Sequence, residues 1–121
     1  MISHFDSKVV GVSFAPGYPD NLHSLENLAG RAYIKGEEGL AAVLIRNPDN
    51  PFDENAIEVH IPALGDMGMI GHLPRDLSSK LAPLLDDGMK WSAMIENVYI
   101  NPDHPDRPGI SISVNRADNL L

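Results

Sequence analysis

The chain has 121 residues, 43% of them hydrophobic, and its nine Lys/Arg against 17 Asp/Glu give a formal net charge of −8 with no cysteine. That length suits one domain with an adequate core, and no apolar run approaches the roughly 18 residues of a membrane-spanning helix. The absence of cysteine excludes disulfides and thiolate metal sites. The charge excludes a long basic stripe of the kind that grips a phosphate backbone, so a nucleic-acid site here has to be short and local.

The opening Met-Ile-Ser-His-Phe-Asp lacks the basic start and long apolar core of a signal peptide, and a cytoplasmic location is expected. Residues 8–14 are β-rich and predict a first strand, broken by Pro16, Gly17 and Pro19. Asp20-Asn21 can cap a helix in which Leu22, Leu25, Leu28 and Ala29 recur at helical spacing, with Gly30 as its stop. Residues 36–39, Gly-Glu-Glu-Gly, predict a turn.

Residues 40–46 and 55–61 predict the next two strands. In the second of these, Ile57, Val59 and Ile61 face one way and Ala56, Glu58 and His60 the other, as in a half-solvated antiparallel strand. A turn at 65–68 leads into residues 69–73. Pro74 fits the first position of a helix whose first turn holds Asp76 and whose apolar stripe is Leu77, Leu81, Leu84 and Leu85. Pro83 should kink or split that helix, and Gly88 should end it. Residues 90–100 and 109–114 predict two closing strands, and the three prolines at 102, 105 and 108 between them forbid regular structure. An all-β, six-stranded OB-like barrel with short helical insertions follows as the expected fold. A single domain over 1–121, with its core at about 8–115, is the expected organisation.

The most informative stretch is Asn-Pro-Asp-Asn-Pro-Phe-Asp-Glu-Asn-Ala-Ile at 47–57. Pro48 and Pro51 restrict their own φ and extend the residues before them, while Asn and Asp side chains hold such bends through backbone N–H groups. A rigid loop on a β scaffold is a common place for a binding site. Together with Ile70-Gly-His-Leu-Pro-Arg-Asp-Leu77 and the opening Val9-Val-Gly-Val-Ser-Phe14, this loop resembles the HIRAN family over most of residues 9–113. The family pattern runs Arg-x-Pro-x-Asn-Pro-aromatic-Asp-x-Asn-Ala-Ile, then Ile-Gly-x-Leu-Pro. The resemblance implies a small OB-like barrel, of a family found alone in bacteria and phages or fused to helicase-like remodellers, that grips the 3′-hydroxyl end of single-stranded DNA.

Phe14 and Phe52 are the candidate stacking rings, since an aromatic face accepts any base; a place in the core is the alternative for each. Asp53 carries the sharper reading. A carboxylate accepts hydrogen bonds strongly and repels phosphate, so at the end of a nucleotide track it favours a terminal hydroxyl, the role the resemblance implies. An Asx cap that only orders the loop is the other reading, and its two oxygens allow both. Asn50 and Asn55 fit loop staples, with ligand contact the alternative for each and Asn50 the candidate for it. Arg46 suits a fork that ties down loop carbonyls or carboxylates, with direct phosphate contact as the alternative. His72 and Arg75 flank the strand-to-helix junction, where Arg75 can meet a phosphate beside a helix N-terminus; a strand-edge histidine and a solvated arginine are the alternatives.

The chain departs from the family's DNA-binding members at Ser13, where remodeller-associated members tend to have arginine. Phe52 likewise stands where they often have tyrosine, and the overall charge is negative. No Gly-rich phosphate loop, GxSxG, HExxH or EF-hand spacing occurs, and His104 with Asp103 and Asp106 reads as a solvated turn rather than a metal site. Neither catalysis nor a cofactor is expected. Two functions remain open: a non-catalytic module for a single-stranded DNA 3′ end, or an acidic protein-interaction module docking on a basic helicase or nuclease partner.

Overall fold

Six antiparallel strands among the described residues, 4–34 and 40–116 of a computed structural model, form one sheet in the order β1-β6-β5-β2-β3-β4. The strands are β1 (His4–Lys8), β2 (Leu40–Arg46), β3 (Ile57–His60), β4 (Met69–His72), β5 (Trp91–Asn101) and β6 (His104–Arg116). Helix α1 (Asp20–Ile34) lies between β1 and β2, and helix α2 (Arg75–Asp86) between β4 and β5. Short 3₁₀ turns cover Val12–Phe14 and Pro62–Met67.

Period-two patterning makes the inner wall. On β3, Ile57 and Val59 are fully buried while Glu58 and His60 are half-exposed; on β6, Ile110, Ile112 and Val114 are buried and Ser111 and Ser113 half-exposed. Leu22 and Leu25 of α1, and Leu81 and Ala82 of α2, close the core from outside the sheet. Ala56, expected on the solvated face of its strand, is buried, because the strand starts at Ile57, two residues later than expected, and Ala56 belongs to the loop that folds over the core. Among the described residues no helix is long and apolar enough to cross a membrane.

The two edges of the sheet are brought together where the chain leaves β1. Val9 N–H donates to the Ile110 carbonyl (2.9 Å), and Val10 and His72 then exchange two backbone bonds of 2.8 and 2.9 Å. This crossing from β6 to β4 turns an open sheet into a curled half-barrel, as expected of an OB-like fold. Gly71 makes the crossing possible: at φ +152° a Cβ there would stand 2.6 Å from both the Val10 carbonyl oxygen and Val9 Cγ1.

Several elements differ from expectation. The first strand ends at Lys8; Gly11 takes φ +69° and turns the chain into the 3₁₀ turn, so Phe14 lies on a turn and not at a strand end. Helix α1 continues through Gly30 to Ile34, since glycine weakens a helix by about 1 kcal/mol without forbidding it. The turn expected at 36–39 lies outside the described residues. Helix α2 is continuous across Pro83. The carbonyl deprived of its partner belongs to the exposed Ser79, where water can take the bond. Pro74 caps that helix rather than opening it.

The segment 101–108 is not irregular: β5 and β6 meet across a tight turn at Pro102-Asp103. The register jumps between Tyr99↔Gly109 and Asn101↔His104, so residues 105–108 bulge where no ladder bond is required of Pro105 or Pro108.

Candidate nucleic-acid interface

The loop at 47–56 is closed at its base by Asn47 N–H donating to the Ala56 carbonyl (3.0 Å), and by Arg46, whose Nη1 donates to the same carbonyl (2.9 Å). The other edge of the Arg46 fork holds Asp86 of α2, with Nε at 3.0 Å and Nη2 at 3.3 Å from its two oxygens. Arg46 therefore ties the loop to the end of the helix and is spoken for by protein groups, as a fork at a strand end should be. Asn47 Nδ2 adds a bond to Glu58 Oε2 (2.9 Å).

Inside the loop, Asn50 Oδ1 accepts from the N–H groups of Phe52 (2.9 Å) and Asp53 (3.2 Å). Asp53 Oδ1 accepts from Asn55 N–H (2.9 Å), and Ala56 N–H donates to the Asp53 carbonyl (3.1 Å). These Asx bonds give the loop its shape without regular secondary structure.

The β4–α2 junction meets the loop from the other side. Arg75 Nη2 donates to the Phe52 carbonyl, and its Nε lies 3.8 Å from Asp53 Oδ2. The fully buried Ser78 hydroxyl sits 3.1 Å from the Arg75 carbonyl and 3.4 Å from Asp53 Oδ2. Asp53 is thus a carboxylate with one oxygen on the loop and the other facing α2, and its side chain is 20% exposed against 71% for that of Arg75.

Between loop and junction lies an open cleft of about 270 Å³. Asn50, Phe52, Asp53, His72 and Arg75 all line it, with Val10, Gly11, Ala56 and Leu73 completing its walls. Five of the six residues singled out in the sequence come together here. Phe14 does not line the cleft; it stands on the turn that begins at Gly11 on the rim. Neither candidate ring is core, for Phe14 is 90% and Phe52 83% exposed. His72 is held by its two backbone bonds to Val10, and its Nε2 is buried with no protein hydrogen-bond partner among the described residues.

The arrangement sets a hydrogen-bond acceptor, a solvent-facing guanidinium and an exposed ring around one hollow. Among the described residues no group of His, Cys, Asp and Glu could hold a metal ion. Ser78 carries no signal in the sequence, because a contact between positions 53 and 78 is set only by how α2 docks. Val10 and Gly11 were equally invisible as cleft walls, since residues 8–14 read as continuous strand.

A family model for the HIRAN domain matches residues 2–115. The chain is similar to the Fanconi-associated nuclease 1 homolog of Arabidopsis thaliana, 37% identical over 84 residues that make up 65% of this chain but 9% of the plant protein. In structure it is similar to the crystal structure of the HIRAN domain of human HLTF (TM-score 0.59, 19% identity, 96% of this chain and 78% of that one). It is also similar to the NMR structure of the HLTF HIRAN domain in its DNA-bound conformation (TM-score 0.51, 21% identity, 98% and 80%).

Proposed function

The chain belongs to the HIRAN family, and from that premise we propose that its cleft is a non-catalytic receptor for the 3′-hydroxyl end of single-stranded DNA. The observation that carries the reading is the Asp53–Arg75 pair, 3.8 Å apart in one open cleft of a chain whose net charge is −8. Recognition of an end needs few phosphate contacts, so it is compatible with a charge that opposes binding along a strand. Asp53 Oδ2 accepts the terminal 3′-hydroxyl, and the same charge repels a terminal phosphate. Arg75 exchanges its bond to the Phe52 carbonyl for the last internucleotide phosphate, and His72 lies beside it. Phe52 supplies a face for the terminal base; Phe14, on the rim, meets the base before it. Asn50 acts through the loop, holding Phe52 and Asp53 in position.

A nuclease association in DNA repair is the biological setting we propose, because a curated relative matched here is named as a nuclease. The chain spans less than a tenth of that relative; in this reading it is a binding module that places a DNA end for another domain or for a partner protein in the cytoplasm. The acidic surface that motivated a protein-docking reading fits the same arrangement, with a basic nuclease or helicase as the partner.

Fluorescence anisotropy at low salt with matched oligonucleotides ending in 3′-OH or 3′-phosphate tests the reading. The hydroxyl end should bind at least about tenfold more tightly. Equal affinity for the two ends overturns it.

A further inference from the structure

A second hollow, of about 360 Å³, opens beside the first, and the two share one wall: Val10 lines both. Val10 is 42% exposed, yet both of its backbone groups are bonded to His72, so it forms a fixed ridge between the hollows. Across this second hollow the sheet register sets three polar side chains in a row on neighbouring strands. Lys8 of β1 pairs with Ser111 of β6, and Ser111 pairs with Asn97 of β5. Two residues along β5, on the same face as Asn97, stands Tyr99, 57% exposed. Its cross-strand neighbour is Gly109, which has no side chain to cover the ring. All four side chains line the hollow.

The lining of this hollow departs from the net charge of the chain. Among the described residues that line it there is one lysine and no carboxylate, in a chain with 17 acids against nine bases. A cation, two neutral hydrogen-bonding groups and an open aromatic face are what a short stretch of single-stranded nucleic acid requires: a phosphate partner and a stacking platform.

Resting on the reading of the first cleft as a receptor for a strand end, we infer that the second hollow continues the track. The nucleotides on the 5′ side of the terminal one cross the Val10 ridge, one base stacks on Tyr99, and Lys8 binds a phosphate. The occupant is single-stranded DNA bearing a free 3′-hydroxyl. The first cleft reads the terminus, and the second measures whether there is a single strand behind it.

The test is anisotropy on the full chain with 3′-hydroxyl oligothymidylates, from a dinucleotide to about eight nucleotides, within the span an OB-type fold covers. The wild type should bind the longer strand more tightly than the dinucleotide. Tyr99→Ala and Lys8→Gln should each weaken the longer strand at least about fivefold while leaving the dinucleotide and the preference for 3′-OH over 3′-phosphate unchanged. Lys8→Gln should also reduce the slope of log affinity against log salt by about 0.7. Lys8 is exposed, so that variant carries the test if truncating Tyr99 perturbs the fold, and Tyr99→Phe should bind as wild type. Wild-type affinity of both Tyr99→Ala and Lys8→Gln for the longer strand overturns the second subsite and leaves end recognition standing. A wild type with no preference between 3′ ends overturns the end receptor itself, and the direction of the track with it.

Discussion

One asparagine oxygen sets the loop that faces the cleft: Asn50 Oδ1 receives the N–H groups of both Phe52 and Asp53. Removing it leaves two loop amides to find other partners, so Asn50→Ala should lower stability by about 1–2 kcal/mol in urea unfolding. Asn50→Asp keeps the acceptor and should stay close to wild type. Equal stability of Asn50→Ala and wild type would show that the staple is not needed. Asp53 calls for a different substitution. Asp53→Asn preserves an oxygen for the Asn55 N–H but removes the negative charge, so the loop should hold while the preference for 3′-OH over 3′-phosphate falls by about tenfold or more in the anisotropy titration. An unchanged preference would assign Asp53 to loop shape alone. These residues were legible in the sequence because their roles are local: Asn-Pro-Phe-Asp states its own hydrogen bonding within four positions.

At the scale of elements, the crossing of Val10 onto β4 holds the half-barrel together and also forms one wall of the cleft. Gly71→Ala places a methyl 2.6 Å from the Val10 carbonyl and Val9 Cγ1, and its φ of +152° is one an L-residue rarely adopts. We expect a loss of about 1–3 kcal/mol, with faster hydrogen exchange at the Val10 and His72 amides; unchanged exchange at both would show that the crossing tolerates a side chain. The strands whose alternation is regular, β3 and β6, could be read from period-two patterning, and the apolar stripe of α2 from its helical spacing. What misled the sequence reading was punctuation with tertiary compensation. Gly30 does not end α1, Pro83 interrupts α2 only at a solvent-facing carbonyl, and Pro105 and Pro108 sit in a bulge rather than a loop. Gly11 acted in the opposite sense, breaking a run that reads as strand and so carrying Phe14 away from the cleft walls.

For the whole molecule, a net charge of −8 sets the terms of any encounter with nucleic acid. Among the described residues that line the two hollows the Lys/Arg side chains are Arg75 and Lys8, so affinity for single-stranded DNA should fall only gently with salt, with a log–log slope of about −1.4 for two phosphate contacts on a single strand. A slope steeper than about −3 would require a basic track that these hollows do not provide. The meeting of residues from 10–11, 50–56 and 72–75 at one cleft depends on sheet closure and on helix docking, which no local pattern specifies. The family resemblance made the loop and the junction visible as partners in advance; the Ser78 link and the shared Val10 ridge come from three-dimensional contacts alone. The most direct test of the account is an NMR titration of the isotopically labelled chain with a short 3′-hydroxyl oligonucleotide. Amide shifts should concentrate at residues 10–14, 50–56 and 72–78. Shifts confined to the outer face of β2 around Val43 and Ile45, or none at saturating oligonucleotide, would contradict it.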